Sequence, residues 1–319
     1  MLYQVIVFIL ILIVYSQIMF QLKKGDDLEI YETDFTSNLE LNDSANLKQP
    51  FLFSFSNYDS VLKDIPLVLD YGSFDVFVKD NRDYYADKPC NSIVLTLNAT
   101  ESLMKTDPDA KYYSDGNQYF IEETGIQKYY QQFDKYLKPT FNVFSKYDVI
   151  FGSAGVTLPL IYHTYERRYL YVTSGKIQVK MTPWRSTKYA VINKNYREYE
   201  FSSPLNVWKP QPHYTGIHKM KFLDFTVYPG HVLYVPPFWH YSIQFLKEEK
   251  EENHLVHVFN YGSAMNVLSN AFNLGNHYYE KFASKKKGIE RRRTADCFIN
   301  YGLASSSVTD RINVATLPE

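Results

Sequence analysis

The sequence predicts a mainly β protein, a small barrel carried behind an apolar N-terminal helix, on three observations. Short apolar and aromatic runs recur between turn residues over 50–265, the spacing of strands rather than of long helices. Aromatic residues make up 17% of the chain, with 29 tyrosines and 22 phenylalanines, side chains that suit pleated surfaces. The third observation is the stretch from Asp224 to Ile243. A β-branched and aromatic run ends at a Pro229-Gly230 turn, Val232 to Val235 form an apolar strand, and Pro236-Pro237 break the ladder because neither donates an amide hydrogen. Tyr241 to Phe245 then re-enter a strand. A turn, a buried strand, a proline break and Trp-His make a barrel-rim pattern, and rims carry ligand sites.

The 319 residues suffice for one large or two ordinary domains. A net charge of −1 implies no polyanionic partner. Two cysteines, Cys90 and Cys297, form neither a disulfide framework nor a paired metal motif.

Residues 1–22 read as a transmembrane anchor. Leu2 to Leu22 carry no charge, and Val5 to Val14 is unbroken hydrocarbon. At ~1.5 Å per residue such a helix spans roughly 30 Å, one bilayer core. A signal peptide cleaved near Val14-Tyr15-Ser16 is the alternative, against which no Lys or Arg precedes the apolar run. Lys23 and Lys24 follow directly, which places the folded part on the cytoplasmic side of a single-pass protein; cleavage would instead give a secreted one.

Residues 23–49 are polar and aperiodic and read as a stalk. Strands are expected at Pro50 to Phe55, Phe74 to Lys79, Ser92 to Leu97 and Tyr119 to Glu122, and a helix at Ile126 to Tyr136. Pro66 excludes a continuous helix through Ser60 to Gly72. From Val149 strands dominate: Leu160 to Tyr165, Tyr169 to Thr173, a Ser174-Gly175 hairpin, Ile177 to Thr182, Lys219 to Phe225 and His254 to Asn260. Lys247 to Asn253 is a charged hairpin loop. A C-terminal helix is expected over Ala264 to Phe282, and 266–319 carries it and a basic tail with Lys285 to Lys287 and Arg291 to Arg293. That tail lacks the aromatic interleaving of a nucleic-acid surface, so no specific nucleic acid is expected.

Tyr228-Pro-Gly-His-Val-Leu-Tyr-Val-Pro-Pro-Phe-Trp-His-Tyr241 resembles the PGDxLYIPxxWxH signature of JmjC and cupin-like proteins. Gly155-Val-Thr-Leu-Pro-Leu-Ile-Tyr-His163 with Tyr169-Leu-Tyr-Val-Thr-Ser-Gly175 is similar to their GTxxPLHxD…NLxxQVSGxK segment. Phe259-Asn260-Tyr261 resembles their late Asn-Phe-Trp strand. The resemblance covers residues 50–265 and implies a double-stranded β-helix with flanking helices. Family members are often Fe(II) and 2-oxoglutarate oxygenases whose iron is held by His-x-Asp/Glu and a distal His.

That ligand pattern is degenerate here. Counting from Gly175, the first histidine position falls on Tyr162 and the carboxylate position on Thr164; from Pro159 they fall on Ile161 and His163. The distal position falls on Tyr241, with His240 one residue early. The cosubstrate lysine position falls on Ile177, beside Lys176, and Asn260 matches.

Three function readings follow. The leading one is a membrane-anchored cupin-like domain without catalysis or cofactor. It binds lipid through residues 2–22 and serves as a structural or interaction module with protein partners, as in a large membrane-associated or viral assembly. The alternative is an Fe(II)/2-oxoglutarate oxygenase with a displaced triad of His163, Glu166 and His240, and the acid oriented by Lys176 and Asn260. It needs bulges near Thr164 and Trp239. The third is a metal-free pocket lined by Tyr162, Tyr165, Trp239 and Tyr241.

Overall fold

Residues 2–54, 68–86, 92–247 and 254–283 are described in the computed structural model of the chain. Contacts divide it into two units, Met1–Lys194 with Glu200–Ala271, and Asn195–Tyr199 with Phe272–Glu319. The first holds the barrel.

The elements in chain order are α1 (Leu2–Leu22), β1 (Tyr31–Asp34), α2 (Asn38–Asn46), β2 (Phe51–Ser54), β3 (Asp75–Asp80), α3 (Asn81–Tyr85), β4 (Ile93–Thr96) and α4 (Leu97–Lys105). There follow β5 (Tyr112–Ser114), α5 (Gln118–Glu123), α6 (Gln127–Leu137), β6 (Asn142–Gly152), β7 (Leu160–Tyr162), β8 (Arg167–Ser174), β9 (Ile177–Thr182), β10 (Asn193–Asn195) and β11 (Glu200–Ser203). The last are β12 (Leu223–Val227), β13 (His231–Val235), β14 (His240–Phe245), β15 (His254–Ser263) and α7 (Ala264–Ser269).

Two large sheets form, one ordered β1-β2-β13-β8-β15-β6-β5-β3-β4 and the other β10-β11-β7-β14-β9-β12. From β6 to β9 and from β12 to β15 the chain passes back and forth between them. The strands β6, β8, β13 and β15 of the first sheet thus face β7, β9, β12 and β14 of the second, the winding of a double-stranded β-helix.

Between the sheets lie Ile150, Leu170, Val172, Val179, Leu233, Ile243, Phe245 and Val258, all buried. The outer face of the first sheet is buried as well. Tyr169, Tyr171, Tyr234, Phe259 and Tyr261 pack there against Tyr130, Phe133 and Leu137 of α6. Covering both faces explains why Tyr169 to Val172 reads as a continuous apolar run. A smaller cluster of Leu160, Leu205, Val207, Ile217 and Met220 is separate from both.

Most strand expectations stand with ends shifted by a residue or two, and Ile177 to Thr182 is unchanged, but the expected Leu160 to Tyr165 ends at Tyr162, Lys219 to Phe225 begins only at Leu223, and His254 to Asn260 runs on to Ser263. Two segments differ. Tyr119 to Glu122 lies in a helix, not a strand: Phe120 and Ile121 are both buried on one side of α5, while Asp148 accepts from the amides of Gly116 and Asn117 at 3.0 and 2.7 Å and fixes its start. Residues 23–49 are not a free stalk. β1 pairs in parallel with β2, and α2 buries Leu41 and Ala45 one helical turn apart. Ser37 caps α2 by accepting from the Glu40 amide, a Ser-x-x-Glu box present in the sequence.

α1 is long and apolar enough to cross a membrane, a test that a signal sequence also passes. Its C-terminal end is held by the barrel. Gln21 is buried, Lys48 Nζ lies 5.2 Å from the Phe20 ring centre, and Lys24 Nζ sits 3.9 Å over the Trp184 ring. Gly25 runs so close to the chain just after α2 that a Cβ there would lie 2.1 Å from the Lys48 carbonyl oxygen. Only glycine fits.

In the second unit, residues 272–283 are helical and His277 Nδ1 donates to the Tyr196 carbonyl at 2.6 Å. The expected helix over Ala264 to Phe282 is thus interrupted by a turn at Asn270. Cys90, Cys297, Glu248 to Asn253 of the charged loop and the basic tail lie outside the described residues.

Candidate functional site

The barrel has two distinct ends. Strand register puts Gly152 opposite His254, and Gly175 lies against the His254 ring; this is the far end. Asn142, Arg167 and Ser263 mark the other end, the mouth, roughly 30 Å away along the eleven residues of β6. Both connections that carry the sequence motifs, 163–166 and 236–239, lie at the mouth.

The second connection is a tight turn with Pro237 fixing φ at its first corner and Phe238 at φ +68° in its second. Trp239 donates its amide to the Pro236 carbonyl at 3.3 Å. The two connections are stitched together. Phe238 N donates to the His163 carbonyl at 2.9 Å, and His163 Nε2 donates to the Val235 carbonyl at 3.0 Å. His163 thus spends one ring nitrogen on backbone. Burial, and then the Arg168 guanidinium, hold its pKa well below the usual histidine value.

Glu166 is also committed, accepting from the Ser263 amide at 3.1 Å where α7 begins. Beside it lies Lys48, fully buried, whose pKa falls to about 8 through burial and then the Arg167 charge. His240 opens β14 on the face away from the inter-sheet core. Its ring stacks on Trp184 with centres 5.8 Å apart and tilts against Tyr162 at 5.0 Å. Neither of its nitrogens has a hydrogen-bond partner among the described residues, and burial lowers its pKa to about 4.

His163, Glu166 and His240 therefore do not converge, and among the described residues no three His, Cys, Asp or Glu side chains do. The position on β14 that faces the interior is Tyr241, whose phenol burial pushes up to about 12. A neutral phenol is a poor ligand for a hard dication. The donor set does not fit a facial-triad iron. The two expected cosubstrate residues are apart as well. Asn260 pairs in register with Arg168 at the mouth, whereas Lys176 follows β8 at the far end, roughly 25 Å along the strand.

The four expected pocket residues do not line one cavity either. Tyr162 stacks on Phe201 at 5.0 Å on the outer side of the second sheet, and Tyr165 packs edge-on against Phe144 at 5.9 Å. Trp239 and Tyr241 belong to the inter-sheet core.

What the barrel does hold is a small cavity of about 30 Å³, lined by the polar Asp115, Asp148, Arg168 and Tyr241 and by the apolar Ile150, Leu158, Pro159, Ile161 and Ile243. That volume takes a water or two. Arg168 stands 5.5 Å over the Tyr241 ring, with its Nε buried and unpartnered among the described residues. Asp148 accepts three backbone amides, yet burial and then Asp115 raise its pKa to about 6. Asp115 is paired with Lys79 at 2.7 Å. Sequence reading missed this group because its members come from four separated segments. The polar Arg168 on an otherwise apolar face of β8 was the available signal.

No family model matches the sequence, and no curated protein matches it. Among solved structures, the chain is similar to YcfD, a ribosomal oxygenase from Escherichia coli in complex with cobalt and 2-oxoglutarate, at a TM-score of 0.36 and 10% identity. The match covers 67% of this chain and 48% of that one, so the chain spans about half of that protein's length.

Proposed function

We propose that this chain is a membrane-anchored, cupin-like barrel that acts by binding and scaffolding at a membrane surface, without metal-dependent catalysis. One observation carries the reading: the three side chains nearest to a ligand triad are spent in three directions, with Tyr241 where the inward donor would stand. The closure of the mouth supports it further. Lys24 lies over Trp184 and Phe238, and Gly25 runs beside Trp239, so the chain leaving α1 crosses the end at which a substrate would enter.

The uncharged α1, followed at once by Lys23 and Lys24, favours an anchor with the barrel on the cytoplasmic side. Its partners are then lipid along α1 and proteins that meet the barrel at the membrane.

The test is turnover of 2-oxoglutarate by the full chain in lipid nanodiscs with Fe(II) and ascorbate. Decarboxylation is expected to equal that of the same mixture without protein. Turnover above that background, lost in His163→Ala, would overturn the proposal.

A further inference from the structure

The end of the barrel that receives α1 carries exposed apolar side chains that nothing among the described residues covers. Phe141, at the turn into β6, is 83% exposed, Val143 60%, Leu268 of α7 48% and Leu47 at the end of α2 57%. They come from three separate segments, yet all lie at the base of α1. α7 packs against α1, and its first amide, Ala264 N, donates to the Phe141 carbonyl at 3.3 Å. Leu47 precedes Lys48, whose ammonium meets Phe20 of α1. Asn38 of α2 donates to the Tyr136 and Lys138 carbonyls, just before Phe141.

Phe141 also holds φ at +57°, a left-handed conformation that an L-residue with a bulky side chain rarely adopts. Because Gln21 to Gly25 are docked, no slack separates the last turn of α1 from the barrel. Whatever depth α1 reaches, these four side chains follow.

We propose that Leu47, Phe141, Val143 and Leu268 form an apolar collar that enters the acyl-headgroup boundary around α1, so that the barrel sits mouth-down on the bilayer. The occupant is lipid rather than a second chain, because the patch adjoins the end of the anchor: α7, which carries Leu268, packs against α1, and Leu47 neighbours the lysine that meets Phe20. The proposal rests on the membrane-anchored reading above. An interfacial apolar group of this kind lies about 5–10 Å into the boundary. It fixes the orientation of the barrel, which a single helix alone leaves free to tilt.

The experiment places one environment-sensitive NBD label on the full chain, with Cys90 and Cys297 replaced by serine, reconstituted in phosphatidylcholine vesicles. Three sites are compared: Ile9→Cys within α1, Phe141→Cys in the collar and Lys176→Cys at the far end. With brominated acyl chains the labels at 9 and 141 should both lose emission, and the label at 176 should not. Quenching at 9 without quenching at 141 overturns the collar and leaves the anchor standing. A blue-shifted but unquenched label at 141, with cross-linking between copies, assigns the patch to a second chain and overturns it too. An unquenched label at 9 sinks the anchored reading itself, and the collar with it. Leu268→Cys serves as the second collar site should the Phe141 variant fold poorly, with the same outcomes.

Discussion

Acidification from pH 7 to pH 5 is expected to destabilise the barrel by several kcal/mol. His163, His240 and His257 are buried, and burial holds all three below the ordinary value of 6.5, His240 at about 4 and His257 at about 3. The unfolded chain takes up these protons near pH 6.5 and the folded chain resists them. Stability is therefore full above 6.5 and is lost as the pH falls towards the folded values. Between 6.5 and 5 each histidine costs about 2 kcal/mol. Asp148 works the other way, since its folded pKa of about 6 exceeds the unfolded value and favours folding below pH 6. One such group offsets only part of three. Urea midpoints measured across this range should fall steeply, and His240→Phe should flatten the slope. With both nitrogens of His240 unpartnered, that variant should also be no less stable at pH 7. A flat profile from 7 to 5 would mean that the folded chain takes up these protons as readily as the unfolded one, as it would if water reached the three rings.

A second large effect is expected at Asp134. Its buried carboxylate accepts from Tyr147 Oη at 2.9 and 2.8 Å and from Tyr261 Oη at 2.9 Å, and pairs with Lys138 at 2.7 Å. It is the polar tie between α6 and the outer face of β6 and β15. Asp134→Ala strands two buried phenols, at about 1–3 kcal/mol each. Asp134→Asn keeps an acceptor oxygen and should lose markedly less. Equilibrium denaturation reads both variants, and a loss under about 1 kcal/mol in the alanine form would mean that water replaces the carboxylate.

Much of the architecture was legible because the barrel strands state their period plainly. The Pro229-Gly230 and Ser174-Gly175 turns need positive φ at their glycines, and Gly230 and Gly175 hold φ of +87° and +70°. The opposite facing of His240 and Tyr241 follows from strand period alone once the ladder resumes after Pro237. What was not legible depends on partners distant in sequence. Residues 23–49 look like a stalk because Phe35, Leu41 and Ala45 are sparse, and their burial needs the surface of β2 and α6. The early half of β6 mixes Phe144 with Ser145 and Lys146, and it is a strand because β15 pairs with it along its length. The meeting of Arg168, Asp148 and Tyr241 depends on the registers of three strands, which no local pattern encodes.

Cobalt binding tests the central claim most directly, because it asks about the donor set without asking for turnover. Thermal melting of the full chain in detergent would be followed with millimolar Co(II), with and without 2-oxoglutarate. A micromolar site filled a thousandfold beyond its dissociation constant adds about 4 kcal/mol to the folded state. The account predicts no such shift and no cobalt absorption band from tetrahedral or five-coordinate ligation. A shift that grows with 2-oxoglutarate and disappears in His163→Ala would contradict it, because His163, Glu166 and His240 would then have to leave their present places and meet at one ion.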